Sequence, residues 1–113
     1  MNPRNAIIEN CSLLMSQDFR SHVVIEIQLR LQGCGGTTLS IYCGHGEKSA
    51  NQLGYAIKCL FDITETYDFS KMKGKPVRAR FANDGRPGDE IIGIGHFMEE
   101  VWLVPKEERL WQH

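Results

Sequence analysis

Val23-Val24-Ile25-Glu26-Ile27-Gln28-Leu29-Arg30-Leu31-Gln32 is the stretch on which the fold turns. Its odd positions, Val23, Ile25, Ile27, Leu29 and Leu31, are aliphatic, and Glu26, Gln28, Arg30 and Gln32 stand between them. Successive strand side chains point to opposite faces, so this period predicts a half-buried strand rather than a helix. Gly33-Cys34-Gly35-Gly36 follows, rich in the residue that tolerates positive φ, and Leu39, Ile41 and Cys43 then alternate with Thr38, Ser40 and Tyr42. The chain therefore turns back as a hairpin. A further strand is expected ahead of it, from about Ala6 to Met15.

Past the loop Gly44-His45-Gly46-Glu47-Lys48-Ser49 the period changes. Leu53, Ala56, Ile57, Leu60, Phe61 and Thr64 fall on one helical stripe, which predicts an amphipathic helix over 50–65 with Ser49 as its N-cap. Gly54 weakens that helix unless it permits close packing on the sheet. Asp68 to Gly74 reads as a turn or single helical turn, and Pro76 opens a strand with Val77, Ala79 and Phe81 on one face and Arg78 and Arg80 on the other. Asn83-Asp84-Gly85-Arg86-Pro87-Gly88 is turn chemistry. Residues 90–97 form the return strand, with Ile92, Ile94 and His96 on one face and Gly93, Gly95 and Phe97 on the other. Val101 to Pro105 is a last short strand, and Leu110 and Trp111 are possible anchors in a charged tail. The class is α+β: a small antiparallel sheet of five or six strands, with N-terminal and C-terminal hairpins and one main helix packed on it. Its 113 residues fit a single domain, 1–113.

With 13 Lys+Arg against 14 Asp+Glu, the chain is neither polybasic nor strongly acidic, so any phosphate site must be local. There is no secretory signal at the N-terminus and no run approaching a membrane span, so a cytosolic protein is expected. Cys11, Cys34, Cys43 and Cys59 have no paired spacing and read as free thiols. Cys34, Cys43 and His45 could together hold zinc across one hairpin, although the spacing matches no finger or ribbon. No cofactor is implied.

Positive charge is concentrated at Lys71, Lys73, Lys75, Arg78 and Arg80, a run without one acid, which asks for an anionic partner. No enzyme template accompanies it. Gly46-Glu47-Lys48-Ser49 lacks the P-loop spacing, and no nucleophile elbow or zinc-protease motif occurs. Asp89 with Glu90 and Glu99 with Glu100 read as solvated charge. Gly93 and Gly95 on one strand face leave either a groove for a flat ligand or a place where a bulky neighbour crosses. His96, among isoleucines, reads as a hydrogen-bonded core residue before it reads as a catalyst.

Met72-Lys73-Gly74-Lys75-Pro76-Val77-Arg78-Ala79-Arg80, then Ile92-Gly93-Ile94-Gly95-His96, Glu100-Val101-Trp102 and Pro105-Lys106-Glu107, resembles a large family of small proteins of tailed phages and prophages. Members carry a Gly-Lys-Pro-(Ile or Val)-Arg-Val strand, an Ile-Gly-His segment and a Trp-Phe-x-Pro ending, after two strands, a glycine-rich turn and one helix. Gly35-Gly36-Thr37-Thr38-Leu39 departs from the family's Gln-Gly-Phe-Gly-Gly, so no ligand contact is carried over there. The resemblance extends to the Thoeris anti-defence sponges of the first type, and implies a homo-oligomer in the host cytoplasm, with pockets between protomers, that sequesters a cyclic ADP-ribose-type immune signal without catalysis. Such a ligand needs guanidinium forks for its phosphates and planes for its base. Arg78 and Arg80 would supply forks, Phe81, Trp102 or His96 would stack, Asn83 would read a base edge or ribose, and Lys73 or Lys75 would add charge. The alternatives are a phage inhibitor acting by protein contact on a host complex such as a CRISPR effector, and a nucleic-acid accessory protein whose basic run tracks backbone.

Overall fold

The computed structural model describes residues 2–16, 22–33, 35–43, 47–83, 85, 86 and 88–107, with the backbone alone at Glu47, Lys48 and Ser49. Its strands are β1 (Arg4–Met15), β2 (Val23–Leu31), β3 (Gly36–Cys43), β4 (Pro76–Phe81), β5 (Ile91–His96) and β6 (Trp102–Leu103), and its helix is α1 (Glu47–Thr64). They form one six-stranded sheet in the order β3-β2-β1-β4-β5-β6, antiparallel throughout, which with α1 makes an α+β fold.

The alternation in β2 does what its period demands. Ile25, Ile27, Leu29 and Leu31 are buried, and they face Ile41, Leu39 and Thr37 of β3 on one side and Leu13, Cys11, Ile8 and Ala6 of β1 on the other. Each such aliphatic side chain taken wholly out of water contributes about 1.5–3 kcal/mol. Although β2, β1 and β4 lie between them in the sheet, β3 and β5 approach each other, so the sheet is strongly curled. Across the mouth of that curl lies α1, against β3, β5 and β6, where Ala56, Leu60 and Ile63 join the core. Between α1 and β4 a short 3-10 turn, Phe69–Lys71, is capped by Asp68, whose carboxylate accepts the Ser70 N–H at 3.0 Å. This turn seats Met72, fully buried, in the same core.

Several expectations shift. Helix α1 begins at Glu47, so Ser49 lies inside it and is not its N-cap. Gly54 is exposed and a Cβ there would meet nothing within 4 Å, so it serves no packing on the sheet. In the return strand a bulge opposite Arg80 and Phe81 pairs Phe81 with Ile91, which places Ile91 rather than Ile92 in the core. One extra residue changes the phase of everything before it. The last strand is confined to Trp102–Leu103. Leu110 and Trp111 lie outside the described residues.

The basic strand also finds a place no local pattern gives. Arg4–Ile7 of β1 pairs with β4, so the C-terminal hairpin docks beside the first strand of the chain. Asn2 extends this seam: its side-chain amide donates to the Phe81 carbonyl at 2.6 Å and accepts the Phe81 N–H at 2.9 Å.

Candidate functional site

On the sheet face away from α1, Arg78 and Arg80 stand opposite Gly95 and Gly93 of β5, and Gly95 stands opposite Trp102 of β6. The glycines make this arrangement sterically feasible. A Cβ at Gly95 would come 2.4 Å from the Trp102 ring, and one at Gly93 would come 2.9 Å from the Val104 side chain. The space where a flat ligand was one expectation is thus filled by the chain's own indole. The ring in turn carries both guanidinium groups, with Arg80 Cζ 4.1 Å and Arg78 Cζ 4.8 Å from its centroid, within cation–π range.

The two arginines differ in what their donors meet. Arg78 Nε donates to the His96 carbonyl at 2.8 Å, and Nη2 donates to the Glu99 carbonyl at 2.8 Å and to Glu100 Oε1 at 3.2 Å. Its side chain is only 17% exposed. Arg80 makes no hydrogen bond or ion pair among the described residues. A planar fork held on an indole face, with no acceptor for its donors among the described residues, has the geometry to donate two parallel hydrogen bonds to an anion's oxygens.

Glu100 closes the group. Besides meeting Arg78, its Oε2 accepts the Trp102 indole N–H at 3.0 Å. These two bonds, the indole's first and Arg78's second, hold its carboxyl below the ordinary value of 4.5. Glu100 is 77% exposed, so its charge is solvated as expected, but it is also engaged, because residues 97–100 form a bend rather than a strand and turn the carboxylate toward Arg78 and Trp102.

His96 is on the opposite face, in the core. Its Nδ1 accepts the N–H groups of Met98 at 3.0 Å and Glu99 at 2.9 Å, which places the ring proton on Nε2, 2.8 Å from Glu65 Oε1. Both nitrogens are engaged, and the imidazole braces the same bend that Arg78 holds from the other side. Glu65 ends α1: its φ is +54°, and the next residue's N–H reaches back from Thr66 to the Phe61 carbonyl at 3.3 Å. That is the Schellman closure, with glutamate where glycine is usual. The left-handed conformation costs a non-glycine residue about 1–2 kcal/mol, offset here by the bond to His96.

The remaining expected site residues are scattered. Phe81 is buried on the core side, away from Arg78 and Arg80. Asn83 is exposed in the β4–β5 turn with φ +58°, beyond the end of β4 at Phe81. Lys75 lines a cavity of about 280 Å³ with Glu65, Pro76, His96, Phe97 and Met98. Of the seven residues expected at one site, the structure therefore brings together Arg78, Arg80 and Trp102. Glu100 and Glu65 are the partners the sequence reading missed. Glu65 left a faint signal, since the helical stripe ends without a glycine to take the left-handed cap.

Cys11 and Cys43 are free thiols, and Cys59 is half-buried. Burial pushes the Cys11 thiol up to about 11 and raises that of Cys43, which disfavours the thiolate a metal requires. Among the described residues no three His, Cys, Asp or Glu side chains gather to hold a metal ion, and Cys34 and His45 lie outside them. Nor is any described helix long and apolar enough to cross a membrane. Set against known proteins, the chain matches no protein-family model and no curated sequence.

Proposed function

We propose that the protein is a non-catalytic capture protein for a small anionic nucleotide, and that its role is phage counter-defence by withdrawing a cyclic ADP-ribose-type immune signal in the host cytoplasm. The observation that carries the binding part is Arg80, stacked 4.1 Å from the Trp102 centroid with no acceptor for its donors among the described residues. The identity of the signal follows from the resemblance of the segment from Lys73 to Lys106 to the phage family.

Two features favour a compact anion over a nucleic-acid backbone. The basic run does not form one row, because Lys71 sits in the 3-10 turn, Lys73 in the turn after it, and Arg78 is bonded within the protein. Whole-chain charge is −1, which gives no long-range pull on a polyanion. Non-catalytic capture is supported by His96, whose two ring nitrogens both have protein partners.

Calorimetric titration with cyclic ADP-ribose-type nucleotides tests the reading. Wild-type protein is expected to bind, and Arg80→Ala to weaken binding on the order of tenfold or more with stability lowered by no more than about 1 kcal/mol, the loss of its stack on Trp102. Arg78→Ala is expected to lower stability by about 2 kcal/mol, since it removes three hydrogen bonds that fix the bend. No heat of binding with any such nucleotide, together with no small nucleotide in native mass spectra of protein purified from signal-producing cells, would sink the proposal.

A further inference from the structure

Beside the two arginines, the outer side of the sheet holds a cavity of about 390 Å³ lined by Asn5, Ile7, Arg30, Gln32, Pro76 and Phe97. Small-molecule sites occupy about 300–1,000 Å³. Strand pairing sets the lining in two rows. Arg30 stands opposite Ile7, and Ile7 opposite Pro76. Asn5 stands opposite Arg78 on one side, and on the other its backbone carbonyl accepts the Gln32 N–H at 3.0 Å. Asn5 and Ile7 alternate with buried Ala6 and Ile8, and Arg30 and Gln32 with buried Leu29 and Leu31, so all four project away from the core.

One row is apolar and the other carries amides. Ile7 is 37% and Phe97 40% exposed, and with Pro76 they form a floor on which a flat ring can lie. The other aromatic planes expected to stack are taken up: Phe81 and His96 are buried, and the Trp102 indole is covered by Gly95 and by both guanidinium groups. In the second row the Asn5 side-chain amide donates to Gln32 Oε1 at 3.4 Å. That bond leaves the Asn5 side-chain oxygen and the Gln32 amide nitrogen without a partner among the described residues, one acceptor beside one donor. Turning both amides over gives the same pair in the other order.

We propose that this cavity, built within one chain, is the seat of an amino-purine base, stacked on Phe97 and met along its edge by Asn5 and Gln32. That the base belongs to a nucleotide rests on the capture reading above; its class rests on the lining. Adenine sets an amino donor, N6, beside a ring acceptor, N7, and an amide pair of one acceptor and one donor matches that edge. The floor runs from β1 across β4 to the residue after β5, a width that a fused double ring covers more fully than a single ring. Asn5 opposite Arg78 makes the seat continuous with the arginine face.

The test is an amide NMR titration of the full chain with adenosine 5′-monophosphate, purine riboside 5′-monophosphate and ribose 5-phosphate, each to about 10 mM, which reaches Kd values near 1 mM. Adenosine 5′-monophosphate is expected to shift the backbone amides of Ile7 and Phe97 and the side-chain amides of Asn5 and Gln32, and ribose 5-phosphate to leave them in place. Purine riboside 5′-monophosphate, which lacks the amino group, is expected to bind about two- to tenfold more weakly. Phe97→Ala should weaken adenosine 5′-monophosphate at least about fivefold. The double variant Asn5→Ala, Gln32→Ala changes exposed side chains only and should erase the difference between the two purine nucleotides. No shift at Ile7 and Phe97, equal binding of either control compound, or a folded Phe97→Ala that binds as wild type does, overturns the proposal. Should Phe97→Ala not fold, the wild-type comparison of the three compounds decides alone. Cyclic ADP-ribose-type nucleotides bound equally by wild type and Phe97→Ala would refute the seat and leave capture standing. Adenosine 5′-monophosphate bound at Phe97, with no cyclic nucleotide bound, would refute capture of the cyclic signal and leave the seat.

Discussion

The β2–β3 and β4–β5 hairpins are both antiparallel pairs in one sheet, yet they hold their faces by different means. In β2–β3 the register runs without a break from Val23 opposite Cys43 to Arg30 opposite Gly36, and large aliphatics fill one face. In β4–β5 a bulge interrupts the register, and the outer face is built from two arginines, two glycines and a tryptophan from the next strand. The first hairpin is stabilised by aliphatic volume in the core. The second depends on the absence of side chains at Gly93 and Gly95, and on hydrogen bonds that converge on the bend after His96.

That contrast can be broken from either side. The largest loss is expected in the first hairpin: Leu29→Ala empties a fully buried site and should lower unfolding free energy by about 3 kcal/mol in urea titration. A loss below about 1 kcal/mol would mean the β2–β3 face is not the principal core. In the second hairpin Gly95→Ala places a methyl 2.4 Å from the Trp102 ring and should cost about 2 kcal/mol, with a change in indole fluorescence that Leu29→Ala does not produce. An unperturbed indole would show that Trp102 does not rest on Gly95. The smallest effect is acid sensitivity at Glu100. Its folded carboxyl titrates below its ordinary 4.5, so its stabilising contribution is present above that value and fades as pH falls through the depressed one. Glu100→Gln should flatten that part of the stability profile below about pH 4.5 and leave the profile near neutrality unchanged. The same acid loss in the variant would remove Glu100 from the account.

Legibility follows the same division. The strand over 23–31, the hairpin and the amphipathic stripe of α1 were readable because each repeats a period that burial alone enforces. Arg78 and Arg80 sharing a face followed from strand alternation. Ile91 in place of Ile92 was not readable, because a bulge changes phase without changing composition. Alternation already set Phe81 away from the arginines and His96 away from Gly93 and Gly95, whereas the partners that hold His96 and Arg78, Glu65 and the bend at 97–100, were not readable because they are distant in sequence or irregular in backbone. Gly54 misled because a helical glycine looks the same from sequence whether it meets a strand or open solvent.

By itself the sequence determined which segments extend, which coil, and which side of each is apolar, because those properties depend on neighbours within a few residues. It placed five cations in one run and put two arginines on one strand face. The tertiary structure alone decided that β4 returns beside β1, that Trp102 crosses Gly95, and that Arg78 is bonded to the bend after His96 while Arg80 has no such partner among the described residues. Those outcomes depend on long-range pairing and on steric fit at two glycines, where a single Cβ would come within 2.4 Å of Trp102 or 2.9 Å of Val104.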